Sequence, residues 1–233
     1  TANNNIYTPQ NIIQDIAARN DIVDRNGNLL AVDLGIVSLY ARPKILLDPT
    51  NTAKKLYEIF PELKKNNLTK LLNSDKSFIW IKRNITPKQQ NLVNNLGMPG
   101  LEFEKGTKRI YTQGSLFSHI LGFVDTDGNG IAGIEKQFDQ SLQDPKTGKL
   151  KLSVDTRVQS IVHEELDKSI KEYKAKGGVG IIMDANNGEL ISMVSMPDFD
   201  PHKPNNASPE SLFNQFSLGV YEIGSIMKGI TIA

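Results

Sequence analysis

The sequence predicts an α+β chain in two parts, 1–152 and 153–233. Three observations predict it. Helix punctuation recurs between about residues 50 and 96, a long amphipathic pattern follows Asp155-Thr156, and two β-branched runs flank Ala185-Asn186-Asn187-Gly188. The composition shifts near residues 150–153, which places the boundary there.

Taken in order, Ile12, Ile13, Ile16 and Ala17 recur at helical spacing after Pro9. Asp24-Arg25-Asn26-Gly27 then lies between two apolar stretches and reads as a hairpin turn. In the helical stretch 50–96 the clearest element has Thr86 as N-cap, Pro87 at the first helical position and Gly97 just past the end. Amphipathic helices are expected over Ser115–Phe123 and Ile134–Leu142, and Asp144-Pro145-Lys146-Thr147-Gly148 is a turn by composition. Beyond the boundary, Val158, Ile161, Val162, Leu166, Ile170 and Tyr173 recur at three- and four-residue steps, so one face of a long helix must meet a sheet. Val179–Asp184 and Glu189–Met196 form that sheet as a hairpin, with Asn187-Gly188 supplying the positive φ of a tight turn. Met183, Met193 and Met196 are expected in its core. Three prolines make 197–208 a loop, and Ser208-Pro209-Glu210 opens a short helix.

Composition excludes several classes of function. There are 27 Lys and Arg against 26 Asp and Glu, so no global basic field exists to hold a nucleic acid by counterion release. Cysteine is absent, which removes disulfides, thiolate nucleophiles and iron–sulfur clusters together. No apolar run approaches the ~18 residues of a membrane span. The chain starts at Thr1 without Met and stops at Ala233 inside Ile230-Thr231-Ile232, which reads as a fragment cut at both ends.

One motif carries chemistry. Ser225-Ile226-Met227-Lys228 is the sole S-x-x-K, and three-residue spacing on a helix puts hydroxyl and ammonium on one face. A lysine desolvated beside a serine has a lowered pKa and can take its proton. At a helix start, the Ser225 N–H would also point outward as an oxyanion donor. With 15 Ser and 21 Lys in the chain, however, about 1.4 such pairs arise by chance, so context has to decide.

That context is a set of ordered motifs. Tyr221-Glu222-Ile223-Gly224 precedes Ser225, and upstream stand Arg19 with Ile22-Val23-Asp24-Arg25-Asn26-Gly27, then Arg109–Gly114 with His119–Gly122, then Gly130-Ile131-Ala132-Gly133-Ile134-Glu135. Ser153-Val154-Asp155, Gln159 and Gly178–Met196 with Pro197-Asp198-Phe199-Asp200 follow. Together they resemble class B penicillin-binding proteins over nearly the whole chain. The resemblance implies an elongated pedestal over 1–152 and the truncated start of a serine β-lactamase-like transpeptidase domain over 153–233. It departs at Asn20, where the family usually has Gly, and at Thr112 and Ile223, where it usually has Pro. The family's later S-x-N and K-T/S-G boxes do not follow Ser225, and Lys146-Thr147-Gly148 matches the last only in letters. By this resemblance the given chain is catalytically inactive on its own.

The resemblance implies a peptidoglycan D,D-transpeptidase with Ser225 as nucleophile and Lys228 as general base. Its partners would be peptidoglycan stem peptides, β-lactam antibiotics and membrane proteins of the division or elongation machinery, with no nucleic acid. A membrane anchor is expected upstream of residue 1, with a periplasmic body on the inner membrane, and the compact stretch from Asp24 to Ser225 leans to the septal type. No cofactor and no metal are implied. An interaction module is the competing reading, because 1–152 offers no catalytic group. A class D β-lactamase or sensor domain shares the serine box without such a pedestal.

Other candidates carry less. Asp125, Asp127 and Asn129 begin like a calcium loop, but position twelve is Lys136. Glu135 reads as a structural ion-pairing residue, with Arg25 or Arg109 as partner. His119, His163 and His202 are scattered along the chain, and Lys64-Lys65 and Lys168, Lys171 and Lys174 read as solvated helix faces. The hairpin 179–196 is expected to present an exposed edge, open to self-association.

Overall fold

A computed structural model describes residues 18–222 together with Gly224 and Lys228. They form the α+β fold expected, in two packing units: Leu34–Lys108, and Arg19–Asp33 with the chain from Arg109 onward. This division by packing is distinct from the one expected at 152/153, which falls inside the second unit. The helical spacing at Ile12–Ala17 lies outside the described residues.

Among the described residues the first element is β1 (Ile22–Val23), which turns and returns antiparallel as the start of β2 (Leu29–Ala41), Ile22 facing Ala31. The turn is the one read at Asp24–Gly27, and Gly27 takes the left-handed conformation at φ 87°. In the first unit the later part of β2 pairs with β3 (Ile79–Ile85), and β4 (Leu101–Tyr111) pairs with β2. Among the described residues this unit carries three α-helices: α1 (Pro49–Ile59), α2 (Leu68–Leu72) and α3 (Pro87–Asn94). Leu39, Ala41, Ile79, Ile81 and Ile85 of the sheet share one apolar core with Ala53, Leu56, Phe60, Leu68, Leu72 and Val93.

Helix α3 starts where the sequence places it. Thr86 Oγ1 accepts the Gln89 N–H at 3.2 Å while the Thr86 N–H donates to Gln89 Oε1 at 2.9 Å, a reciprocal cap behind Pro87. The stretch 50–96 is not uniformly helical, however, because β3 lies within it. Its Ile79 and Ile81 point inward in alternation with Trp80 and Lys82, a period-two signal four residues long that the surrounding helical punctuation masks.

In the second unit, β5 (Leu150–Lys151) adds parallel to β1. A 3₁₀ turn at Gly114–Phe117 leads into α4 (Ser118–Leu121), matching the helix expected over Ser115–Phe123 in a shorter form. The helix expected over Ile134–Leu142 breaks at Phe138 into α5 (Gly133–Gln137) and α6 (Asp139–Gln143). At the break Asp139 turns its carboxylate back to the Gly130 N–H, 2.8 Å away. Ile22, Leu30, Ala31, Phe117, Leu121, Leu142 and Val154 form the core here.

The long helix is α7 (Thr156–Tyr173), N-capped by Asp155, whose carboxylate accepts the Arg157 N–H at 3.0 Å. It lies on the hairpin of β6 (Gly178–Met183) and β7 (Leu190–Met196), with Gly188 at φ 78° in the turn. The approach is close. A β-carbon on Gly180 would come 2.6 Å from Val162 Cγ1, and one on Gly178 3.0 Å from Leu166 Cδ1. Three residues expected in this core are exposed instead. Ile161 is turned about 100° around the helix from Val162, Tyr173 is the last helical residue, and Met183 ends β6 at its exposed end while Met193 and Met196 on β7 are buried. Short helices α8 (Pro209–Leu212), capped by Ser208, and α9 (Gln215–Leu218), capped by Asn214, follow the proline-rich loop.

Gln159 braces this half. Fully buried, its amide donates to the carbonyl oxygens of Leu116 at 2.9 Å and Met193 at 2.8 Å, and its oxygen accepts from Ser192 Oγ at 2.8 Å and the Met193 N–H at 2.9 Å. Every hydrogen-bonding position of the amide is used. Gln159→Leu strands these buried partners at about 1–3 kcal/mol each. It should therefore lower the unfolding free energy by about 3 kcal/mol or more in urea titrations, and a loss under about 1 kcal/mol would show that the brace is unimportant.

Candidate functional site

The upstream motifs meet in a buried ionic cluster centred on Glu135, whose side chain has no solvent exposure. Arg19 Nε donates to Glu135 Oε2 at 2.6 Å, and Arg109 Nε donates to Glu135 Oε1 at 2.8 Å. Each carboxylate oxygen thus takes one guanidinium. The remaining donors are also used: Arg19 Nη2 to the Glu135 carbonyl at 2.6 Å, Arg19 Nη1 to Asp139 at 2.7 Å, and Arg109 to Asp33 at 3.2 Å and the Asn20 carbonyl at 3.0 Å. Burial disfavours the Arg19 charge, but its bonds to Asp139 and Glu135 outweigh that and raise its pKa. Arg25, considered as a partner of Glu135, instead reaches Glu189 at 3.4 Å near the surface. Its place is taken by Arg19, which alternates with no apolar pattern and so gives no signal of burial.

Glycine makes room for the cluster. A β-carbon on Gly130 would overlap the Glu135 carbonyl oxygen, one on Gly122 would overlap the Ala132 carbonyl, and one on Gly133 would lie 2.6 Å from the Gly122 nitrogen. Gly122 and Gly133 also hold positive φ, at 71° and 59°. Between these two glycines Asp125 closes a tight turn by accepting the Asp127 and Asn129 N–H groups, each at 2.9 Å.

A second polar knot ties the β1–β2 turn to the start of α7. Buried Asp24 accepts the N–H groups of Asn26 at 2.8 Å and Asn28 at 2.9 Å, together with Thr156 Oγ1 at 2.8 Å. Burial works against its charge, yet the bonds from Asn28, Thr156 and Asn26 prevail and hold its pKa well below the carboxylate range. Asn26 reaches on to Asp155, the cap of α7, at 2.9 Å.

From the hairpin the chain approaches the serine box under restraint. The Gln215 N–H donates to Ser195 Oγ at 3.0 Å and Asn214 Nδ2 to the His119 carbonyl at 3.2 Å, so both residues opening α9 are tied to the body of the unit. Gly224 sits at φ 55°, a left-handed residue immediately before Ser225. Ser225 itself lies outside the described residues. Lys228 is helical and exposed. Lys146-Thr147-Gly148 lies in a turn, with the Thr147 N–H on the Asp144 carbonyl. Among the described residues no group of three His, Cys, Asp or Glu is placed to hold a metal ion.

Residues 14–177 match the penicillin-binding protein dimerisation domain, and residues 178–233 match the penicillin-binding protein transpeptidase domain. The chain belongs to the penicillin-binding protein family. It is 36% identical over 219 residues to a probable peptidoglycan D,D-transpeptidase FtsI of Caulobacter vibrioides, covering 93% of this chain and 37% of that protein. Against a probable peptidoglycan D,D-transpeptidase PenA of Neisseria meningitidis it is 34% identical over 249 residues, covering 93% of this chain and 42% of the relative. The chain thus spans about two fifths of the length of these relatives. In fold it is similar to the penicillin-binding protein (PBP2) solved in complex with MreC from Helicobacter pylori, with TM-score 0.70 and 22% identity, covering 92% of this chain and 50% of that one.

In this penicillin-binding protein, three motifs that are far apart in sequence therefore share one salt-bridged centre, and the serine box follows a hairpin braced from α7. Asp33 and Asp139, which complete the cluster, were not foreseen. Only the i,i+4 spacing of Asp139 from Glu135 on neighbouring helical turns hints at its place.

Because Asp24 is depressed in the folded chain, its stabilisation is full above the unfolded-state carboxylate value of about 4 and is lost as pH falls below it. Asp24→Asn should lower stability at neutral pH and flatten the decline between about pH 4 and about pH 2. Thermal unfolding of both proteins across that range checks this, and parallel curves would contradict it.

Proposed function

We propose that this chain belongs to a peptidoglycan D,D-transpeptidase, with 1–152 as its pedestal and 153–233 opening the transpeptidase domain. The observation that carries the reading is position: Tyr221–Lys228 falls inside the segment matching the transpeptidase family, and within it Ser225 directly follows a left-handed Gly224. Relatives named peptidoglycan D,D-transpeptidase support the reaction class.

In the proposed mechanism Ser225 Oγ attacks the carbonyl of the penultimate D-Ala as Lys228 Nζ takes the hydroxyl proton. The tetrahedral oxyanion would be met by backbone N–H groups, that of Ser225 among them. Its collapse breaks the amide bond, returns the proton to the leaving amine and releases the terminal D-Ala. An amine of a neighbouring stem peptide then attacks the acyl-enzyme and forms the cross-link, regenerating Ser225. β-Lactams would acylate the same oxygen. The S-x-N and K-T/S-G boxes that complete such a site do not follow Ser225 within the 233 residues, so acylation is proposed for the protein that carries all three.

Further proposals concern setting. We place the body in the periplasm on an inner-membrane anchor, in septal synthesis, supported by the compact spacing from Asp24 to Ser225. A second reading, a non-catalytic interaction module, draws on the unit Leu34–Lys108. There exposed Phe78 packs against Tyr40 at 4.8 Å and Trp80 at 4.9 Å, an aromatic surface suited to division or elongation membrane proteins. The MreC-bound relative supports such a role.

Fluorescent penicillin labelling of the full-length protein decides between the readings. The native protein should label and Ser225→Ala should lose the label, with Lys228→Ala slowing acylation by about a hundredfold or more. A full-length protein that never labels supports the interaction module, and labelling that survives Ser225→Ala refutes the assigned nucleophile.

A further inference from the structure

All three histidines of the chain converge on one stretch, Pro197–His202, although they are scattered in sequence. His119 of α4 places Nε2 3.2 Å from the Pro197 carbonyl oxygen, and His163 of α7 places Nε2 3.0 Å from Asp198 Oδ2. His202 closes the stretch: its Nδ1 lies 3.0 Å from Asp200 Oδ1, and its Nε2 accepts the Tyr111 backbone N–H at 3.0 Å. Between them Phe199 is buried against the rings of His119 and Phe123.

The Tyr111 contact fixes the chemistry of His202. A backbone N–H can only donate, so Nε2 must carry its lone pair and Nδ1 the single proton, which it gives to Asp200. An imidazolium has no acceptor. We propose that Pro197–His202 is a proton-responsive strap, latched to the end of β4 while His202 is neutral and released there when His202 takes a second proton. Release begins at this end only. The His163–Asp198 pair is strengthened by protonation, and His119 donates to Pro197 in either state while its burial opposes the charge.

The groups facing His202 set the balance. Asp200 favours the cation, but its bond to Nδ1 already exists in the neutral form and its side chain is half exposed, so the added attraction is screened. Lys203 beside it opposes the charge. From β4 comes Tyr111, a buried residue whose ring lies 5.4 Å from that of His202 and beyond which lie the opposed charges of Glu135, Arg109 and Arg19. Protonation would turn the Tyr111 contact into N–H against N–H and leave a buried donor without an acceptor. Release would free the chain that leads from His202 into α8, ahead of the separate anchors at Asn214 and Gln215.

Amide hydrogen exchange on the full 233-residue chain tests this, with intrinsic rates corrected for pH. Protection of the Tyr111 amide should fall about tenfold or more between about pH 7.5 and about pH 5.5. His202→Gln keeps an acceptor oxygen that does not titrate, and its protection should be the same at both values. Unchanged protection in the native chain, or an equal fall in His202→Gln, overturns the proposal. Nitrogen-15 NMR of the native chain gives a second reading that needs no variant. His202 should be the Nδ1–H tautomer at neutral pH, and an Nε2–H tautomer there would also overturn the strap.

Discussion

A carboxylate without access to water needs charged or hydrogen-bonding partners, and Glu135 is held by two guanidinium groups at once. Neither arginine is close to it in sequence, so satisfying this one side chain requires Arg19, Arg109 and the Gly130–Glu135 segment to meet in a single arrangement. Removing a buried ion from water costs several kcal/mol, recovered only when geometry and further hydrogen bonds are good. Here every available partner is used, down to the Glu135 carbonyl. The glycines follow from the same constraint, because the backbone around Gly122, Gly130 and Gly133 packs too closely for a β-carbon. What looks in sequence like a short glycine-rich motif is the space that a buried ion cluster needs.

The same physics recurs toward the serine box with different groups. Asp24 gathers the β1–β2 turn and Thr156 on one carboxylate, and Gln159 joins α7 to β7 and to the turn before α4. Buried polar groups in low dielectric are costly when unpaired and directional when paired. Three such centres thus link the pedestal motifs to the hairpin within one packing unit. The restraints on Asn214 and Gln215 carry that order forward to α9.

Local signals in the sequence were legible where a single residue type performs a backbone task. Thr86-Pro87, Asp155, Ser208-Pro209, Gly27 and Gly188 each begin or end an element as their chemistry requires. Periodicity located α7 and the hairpin, but it overcounted the buried face by Ile161 and Tyr173, because spacing does not say where the sheet ends. It missed β3, whose alternation is shorter than the helical punctuation on either side. The serine box and the ordered motifs were legible through their resemblance to a family. The ion cluster was legible only in part: Arg25 or Arg109 was expected to pair with Glu135, of which only Arg109 does, and Arg19, Asp33 and Asp139 were not foreseen, since long-range pairing leaves no local trace. The convergence of the histidines on one loop was hidden for the same reason.

If the Glu135 bridge is the constraint that organises these motifs, its energy must be shared between partners rather than stored in each. A double-mutant cycle between Arg109→Met and Glu135→Gln, read by urea unfolding, measures that sharing most directly. The account predicts that the double variant is less destabilised than the sum of the single variants by about 2 kcal/mol or more. Additivity within about 0.5 kcal/mol would contradict it.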